Sequence, residues 1–329
     1  MPESAPTRID PQAAEAMARL AALCDTPLHA LAVAEARRLY REARLGAAAG
    51  SAANSPEVAS IGNFWLDGPG GPVGVRAYRG LGTDPHTALP AVLYFHGGGW
   101  TCGDLDTHDG PCRQIANNAA CAVFSVDYRL APEHKFPAAF EDALAALDWV
   151  LEEAQTLQVD RRRIAVAGDS NGANLAAAVA LALRDRGTAL ALQALVYPTI
   201  DLRAEAMQAF ASRTEFASDC LHDRESIEWS IANYLRHESD AADWRASPML
   251  AGSLRGAAPA YVLTAGFDPF RDEGRAYAAR LLAEGVTATS ECFEGQVHGF
   301  INLGGTMAAA PHAMYRVGQA LRTAFRKIE

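Results

Sequence analysis

The sequence contains few cysteines, and none of them form a closely spaced pair. There are six in 329 residues, and the C-x-x-C spacing of metal and redox sites is absent. Disulfide-bonded frameworks belong to oxidising compartments, whereas isolated thiols are typical of reducing ones. We therefore predict free thiols in a cytoplasmic protein. The cysteines are Cys24, Cys102, Cys112, Cys121, Cys220 and Cys292.

The sequence also lacks an excess of basic residues and any long apolar run. Its 29 lysines and arginines are outnumbered by 39 aspartates and glutamates, which gives a formal net charge of −10. A nucleic-acid partner requires a basic face, so we predict none. No uninterrupted apolar stretch approaches the ~18 residues that span a bilayer. The first residues, MPESAPTRIDPQ, show no basic region followed by an apolar one, so we expect neither a membrane span nor a signal peptide.

What the sequence does contain is an alternation of short apolar runs with helical segments. The first two runs alternate apolar and polar residues, which is typical of an antiparallel pair. The later runs are continuously apolar, as expected for strands that are covered on both faces. This order predicts an α/β fold with a mostly parallel eight-stranded sheet flanked by helices. The predicted strands are residues 58–66, 73–79, 91–95, 121–126, 163–168, 190–198, 260–266 and 287–293.

Two segments do not follow this alternation. Residues 1–50 are alanine-rich and helical in pattern, and residues 201–246 form a helical stretch that contains several aromatic side chains. A structureless loop of that length is unusual in a compact domain. We predict that both segments form a helical cap over a catalytic domain made of residues 51–200 and 247–329. The alternative is an ordinary pair of surface helices.

A G-x-S-x-G motif, Gly168-Asp169-Ser170-Asn171-Gly172, lies between one predicted strand and the helix that follows it. In this setting a serine is presented on a sharp strand-to-helix turn. Glycines two residues to either side keep the crowded turn free of side chains. A serine hydroxyl is a weak nucleophile that needs a base within hydrogen-bond distance. We predict that Ser170 is a catalytic nucleophile.

The base and acid that such a serine requires are expected after it in the chain, the acid before the base. His298 follows the last predicted strand across a short loop, and His312 is the weaker alternative. Asp268 follows the strand over 260–266, at the sheet edge where catalytic groups of open α/β sheets gather. Asp272 is better explained as a helix cap, and Asp201 is a third candidate. We predict Asp268 and His298.

A glycine run, HGGGW at 96–100, directly follows the predicted strand over 91–95. Glycines let backbone N–H groups approach a developing oxyanion closely. We predict that the N–H groups of Gly97 and Gly98 act together with that of Asn171, at the positive end of a helix. A nucleophile, base, acid and oxyanion hole together indicate a serine hydrolase.

Four aromatic residues flank these motifs and are candidates for the wall of an apolar substrate pocket, although core positions explain them equally well. They are Trp100, Tyr197, Phe267 and Phe300.

An acidic loop after the glycine run raises the alternative of a metal site. It contains Asp104, Asp106, His108 and Asp109 but lacks the glycine and distal glutamate of a calcium loop. The glycine run likewise lacks the Lys-Ser/Thr of a phosphate-binding loop. We predict no metal and no cofactor.

From about residue 60 onward, the chain resembles the hormone-sensitive-lipase-like branch of the α/β hydrolases, the bacterial family IV carboxylesterases. The strings that carry this resemblance are HGGGW, GDLDTHD, DYRLAPEHKFPAAFED, GDSNG, DPFRDEG and HGF. The resemblance implies Ser170, Asp268 and His298 as the catalytic triad. It also implies oxyanion donors in the glycine run and in the residue after the serine. Asn171 is a departure, because members of this family usually have alanine at that position.

The resemblance implies a serine carboxylesterase that acts through an acyl-enzyme. A capped pocket favours short- to medium-chain esters, so the expected partner is a small-molecule ester. Amide or lactone hydrolysis uses the same residues and stays open. A different alternative is a non-catalytic small-ligand receptor on the same scaffold. A homodimer is also compatible with the sequence.

Overall fold

The computed structural model of the protein describes residues 8–23, 26–48, 55–216, 223–303 and 307–328, and its centre is an eight-stranded sheet. Each of the eight predicted strands is found, so the predicted α/β architecture is confirmed. The strands are β1 (Ser60–Gly68), β2 (Gly71–Arg79), β3 (Leu89–Phe95), β4 (Ala122–Asp127), β5 (Val159–Asp169), β6 (Gln193–Val196), β7 (Ala260–Phe267) and β8 (Ala288–Val297).

The sheet has the order β1-β2-β4-β3-β5-β6-β7-β8. β2 pairs antiparallel with both β1 and β4, which confirms the predicted antiparallel start. From β4 through β3 to β8, neighbouring strands are parallel. The carboxyl ends of the parallel strands therefore meet at one edge of the sheet, where a site can be assembled from several loops.

Ten α-helices are found in the described part of the chain. They are α1 (Pro11–Leu23), α2 (Val33–Ala48), α3 (Asp109–Ala119), α4 (Ala138–Glu152), α5 (Asn171–Asp185), α6 (Ala206–Ala209), α7 (Ala211–Glu215), α8 (Arg224–Tyr234), α9 (Arg271–Ala283) and α10 (Ala309–Arg326). Among these described helices, none has the length and apolar character that crossing a bilayer requires.

Helices cover the central strands on both faces. All seven residues of β3 are buried, and its side chains divide between two core clusters because successive side chains of a strand point to opposite faces. Leu93 and Phe95 pack in the cluster that contains residues of α4 and α5. Val92 and Tyr94 pack in the cluster that contains residues of α3 and α10. This double coverage explains why the central strands are continuously apolar.

The two segments outside the alternation are helical where they are described. The first contributes α1 and α2, and the second contributes α6, α7 and α8. They meet where His29 Nδ1 lies 3.2 Å from Ser226 Oγ. The first segment is also tied to the loop after β3, because Arg37 Nε donates to the carbonyl oxygen of Thr101 at 2.7 Å.

The second segment is anchored to α9 by a buried ion pair between Arg213 and Glu273. Both side chains are fully buried, and Arg213 Nη2 lies 2.5 Å from Glu273 Oε2. Each side chain has a further hydrogen bond. Ile200 N–H donates to Glu273 Oε1, and Arg213 Nη2 donates to the carbonyl oxygen of Asp201. Among the described residues, Glu273 is the one carboxylate found to pair with this guanidinium.

Glu273→Gln is expected to lower the free energy of unfolding by about 3 kcal/mol, because it leaves the buried charge of Arg213 uncompensated. Urea unfolding followed by circular dichroism measures this loss. The matched control is Glu228→Gln in the exposed Arg224–Glu228 pair, which should cost less than about 1 kcal/mol. Equal losses in the two variants would contradict a structural role for the buried pair.

Candidate active site

Ser170 lies on the strand-to-helix turn predicted from its motif. β5 ends at Asp169 and α5 begins at Asn171, and Ser170 itself has a φ of 55° and a ψ of −122°. The turn is crowded on both sides. A Cβ atom on Gly172 would lie 2.0 Å from the carbonyl oxygen of Phe95, and one on Gly168 would lie 2.4 Å from the backbone of Gly172. Only glycine permits this close approach at the two positions. Because Ser170 between them has a positive φ, the turn holds the serine in a strained backbone conformation.

The structure brings together the three side chains predicted as nucleophile, base and acid. His298 Nε2 lies 2.9 Å from Ser170 Oγ, and His298 Nδ1 lies 2.8 Å from Asp268 Oδ2. Asp268 Oδ1 accepts a hydrogen bond from Phe270 N–H at 2.7 Å. All three side chains are buried, with Asp268 at 0% and His298 at 1% relative exposure. This arrangement can pass a proton from the hydroxyl to an imidazole whose tautomer is fixed by a carboxylate.

The alternative acids and base have other partners. Asp201 pairs with Arg203 at 2.7 Å. Asp272 accepts a hydrogen bond from Ser212 N–H at 2.9 Å and lies within the first turn of α9, so it is not the residue before the helix. The ring of His312 packs 5.6 Å from that of Phe293.

The oxyanion loop differs from the prediction at Gly97. Its N–H donates to Asp169 Oδ1 at 3.0 Å, so it points away from the serine hydroxyl and into a buried carboxylate. The N–H of Gly99 points towards the hydroxyl instead, because it donates to an oxygen atom that is itself 3.0 Å from Ser170 Oγ. The reason is the loop conformation, in which Gly98 has a φ of 123° and Gly99 a φ of 65°. Gly99 therefore replaces Gly97 among the candidate donors, and the N–H groups of Gly98 and Asn171 stay predictions from the sequence.

The oxygen atom that accepts from Gly99 is the side-chain amide oxygen of Asn171. Asn171 Oδ1 lies 2.8 Å from Gly99 N and 3.0 Å from Ser170 Oγ, and the side chain is buried. From the sequence, only the backbone N–H of Asn171 was predicted to take part in the site. Its side chain was identified only as a departure from the alanine that is usual in the family.

Sequence reasoning missed the role of Asp169, which supports the loop. Its carboxylate accepts hydrogen bonds from Tyr94 Oη at 2.7 Å and Asn302 Nδ2 at 3.2 Å as well as from Gly97 N–H, and it lies 3.4 Å from His108 Nε2. Burial opposes its charge, but His108 and these donors outweigh burial and hold the pKa of Asp169 well below its usual range. Its place beside the serine was the only signal in the sequence.

His96, the first residue of the HGGGW run, is structural in its contacts. His96 Nδ1 lies 2.9 Å from the carbonyl oxygen of Gly97, and its ring stacks on Tyr128. Burial, with the neighbouring His108, lowers the pKa of His96 to about 4. A neutral ring at this place adds no charge near the serine.

The acidic loop that raised a metal alternative is held by arginines. Asp104 and Asp106 both pair with Arg41, and Asp106 pairs with Arg76 at 2.8 Å. Within the described ranges, no group of three or more metal-ligating side chains is found.

A cavity of about 230 Å³ opens beside Ser170 and His298. Its other walls come from both helical segments and from the glycine run, and they include Leu20, Leu28, Leu39, Tyr40, Gly98, Gly99, Trp229 and Ser230.

The four aromatic residues predicted to wall the pocket are not among the described residues that line this cavity. Trp100 is buried and stacks on Tyr234, with ring centroids 4.1 Å apart. Tyr197 packs against the imidazole of His298 at 4.6 Å and against Phe300 at 6.0 Å. Phe267 packs against an aromatic residue of the second helical segment. Trp100 instead lines a small pocket beside Gly99 and Asn171, and substrate contact by the four aromatic residues stays a prediction from the sequence.

Comparison with known proteins gives consistent relatives. Residues 92–302 match a family with an alpha/beta hydrolase fold. A carboxylic ester hydrolase, LipN, from Mycobacterium tuberculosis is 43% identical over 259 residues, which cover 76% of this chain and 67% of LipN. An ethyl acetate hydrolase from Pseudomonas putida is 37% identical over 298 residues, 90% of this chain and 92% of its own. The solved structure of a hyperthermophilic esterase from Pyrobaculum calidifontis has a TM-score of 0.90 at 36% identity, covering 98% of this chain and 100% of that one.

Proposed function

Because this chain belongs to the hormone-sensitive-lipase-like carboxylesterases of the α/β hydrolase superfamily, we propose that it hydrolyses carboxylic esters with Ser170 as nucleophile, His298 as base and Asp268 as the acid that orients it. The single observation that carries this proposal is the pair of contacts at 2.9 Å and 2.8 Å that joins the three side chains. The ester hydrolases among its relatives support the choice of ester as substrate.

In the proposed reaction, the hydroxyl oxygen of Ser170 attacks the ester carbonyl carbon while His298 Nε2 takes the hydroxyl proton. Negative charge develops on the former carbonyl oxygen, where the backbone N–H groups of Gly98, Gly99 and Asn171 stabilise it. His298 then gives its proton to the leaving alkoxide, and the carbon–oxygen bond to the alcohol breaks. Water attacks the acyl-enzyme by the same route, which releases the acid and restores the serine.

Asp268 has an indirect part in this cycle. Its Oδ2 accepts from His298 Nδ1, so Nε2 is left as the unprotonated nitrogen that faces the serine. The same carboxylate stabilises the imidazolium that forms when the proton is transferred. A receptor without turnover has no need of this arrangement, so we rank an enzyme above the receptor alternative.

We also propose that residues 1–50 and 201–246 form a cap over the site, while residues 51–200 and 247–329 form the catalytic domain. Both helical segments contribute to the cavity, through Tyr40 in one and Trp229 in the other. A cavity enclosed in this way limits how far an acyl chain can extend from the serine. Cytoplasmic location and homodimer formation stay predictions from the sequence.

Turnover of 4-nitrophenyl esters is expected to favour short and medium acyl chains. We expect kcat/KM to be highest for chains of about two to about eight carbons and to fall at least about tenfold by about sixteen carbons, because longer chains outgrow the enclosed cavity. A fluorophosphonate probe titrates the active serine in the same samples and corrects for inactive protein. A kcat/KM that rises steadily with chain length would contradict the enclosed pocket.

A further inference from the structure

The side-chain amide oxygen of Asn171 lies between the nucleophile and the glycine run. This atom, Oδ1, is a carbonyl oxygen, 3.0 Å from the nucleophile Ser170 Oγ and 2.8 Å from the N–H of Gly99. An oxyanion hole is defined by backbone N–H groups that converge on one oxygen close to the nucleophile. Asn171 Oδ1 accepts from one of the candidate donors, the N–H of Gly99, and lies within hydrogen-bond distance of the nucleophile.

The same contact affects the nucleophile. A serine hydroxyl has one proton to donate, and Ser170 Oγ has two acceptors within reach, Asn171 Oδ1 at 3.0 Å and His298 Nε2 at 2.9 Å. Whenever the hydroxyl donates to the amide oxygen, its proton is not directed at the imidazole. The nucleophile is then not activated until the hydroxyl proton turns to the imidazole.

The amide oxygen of Asn171 is held beside Ser170 by the start of a helix and by the glycine run. Asn171 is the first residue of α5, where unpaired N–H groups and the helix dipole favour a partial negative charge. Its Oδ1 accepts from the glycine run, a different part of the chain, and not from the next N–H groups of its own helix. The side chain therefore acts as a link across the site, and it does not cap the helix.

We propose that Asn171 is a built-in competitor for the oxyanion hole, whose amide oxygen every substrate carbonyl must displace before attack. This inference rests on the proposed serine mechanism. The cost of displacement falls on the carbonyl oxygen, which all esters share, so it is the same for short and long acyl chains. A side chain that acted only through its bulk would instead affect long chains more than short ones.

Asn171→Ala tests this directly, because alanine keeps the backbone N–H and removes the competing oxygen. With 4-nitrophenyl acetate and 4-nitrophenyl hexanoate, we expect kcat/KM to rise about three- to tenfold for both esters, mainly through a lower KM, as the loss of one net hydrogen bond predicts. A fall or no change would overturn the proposal. A rise confined to the hexanoate would also overturn it, in favour of bulk.

Asn171→Asp is the second variant, because it keeps the shape of the side chain and suits a helix N-terminus. Its carboxylate is a stronger acceptor than the amide, so we expect kcat/KM at about pH 8 to fall at least about tenfold for both esters. A kcat/KM equal to or above that of the wild type would contradict competition by the side chain. Circular dichroism shows that each variant is folded.

Fluorophosphonate labelling separates failure of this inference from failure of the proposed function. The phosphonyl oxygen enters the same hole as the ester carbonyl, so Asn171→Ala should be labelled faster than the wild type by a similar factor. A wild type that is labelled at Ser170, with a variant that is labelled more slowly, refutes only the role of Asn171. A wild type that hydrolyses esters without any labelling at Ser170 refutes the serine mechanism itself.

Discussion

Replacing Ser170 with alanine is expected to lower kcat about 10⁵- to 10⁶-fold for every ester tested, because the attacking oxygen is removed and the triad acts as a unit. The fold should be kept. Ser170 Oγ contacts only His298 and Asn171 among the hydrogen-bond partners found in the described residues, so the loss of one hydroxyl leaves the turn intact. Turnover of 4-nitrophenyl acetate measures the first expectation, and thermal unfolding measures the second.

Ser125→Ala is a matched control for this result. Ser125 is also fully buried, but it lies in β4 and pairs across the sheet with Arg76 of β2, away from the site. Its truncation should leave kcat within about twofold of the wild type. Retention of substantial turnover in Ser170→Ala would contradict the serine mechanism. Ser170 would then contribute only to substrate binding and not to covalent catalysis.

Asp268→Asn is expected to lower kcat about 10⁴-fold, by analogy with the same change in serine proteases. An amide NH₂ placed 2.8 Å from His298 Nδ1 would make that nitrogen the acceptor and move the ring proton to Nε2. The imidazole could then no longer accept the proton of Ser170. Because substrate binding does not use this carboxylate, KM should change little, and a steady-state comparison of kcat with KM tests both parts.

Asp201, a further candidate acid in the sequence, provides the control. Asp201 is as buried as Asp268, at 1% relative exposure, but its carboxylate pairs with Arg203. Asp201→Asn should therefore keep kcat within about threefold and lower stability only modestly. If the two asparagine variants lost activity equally, burial of the aspartates and not contact with His298 would explain the effect.

Much of the architecture could be predicted because its signals are local. The central strands are buried on both faces, so they are recognisable as short, continuously apolar runs. The nucleophile turn was equally clear from the sequence. Gly168 and Gly172 are required there because any side chain at either position would collide with the backbone. The choice of Asp268 and His298 followed from chain order and from the strand ends that precede them.

The details of the oxyanion loop could not be predicted in the same way. Gly97, Gly98 and Gly99 are identical as residues, and only the path of the loop decides which N–H groups face Ser170. That path is set by the carboxylate of Asp169, which takes the N–H of Gly97. Nothing in the local sequence of the glycine run indicates this partner, which lies 72 positions away.

Short local patterns predicted the order of the strands along the chain, the turn that presents Ser170 and the candidates for its base and acid, because each of these depends on a few neighbouring residues. The contacts of the folded chain were needed to show that the N–H of Gly99, and not that of Gly97, faces the nucleophile and where the amide of Asn171 lies. These features depend on side chains that meet from distant parts of the chain, and the contacts between them are fixed by packing and charge compensation after the chain has folded.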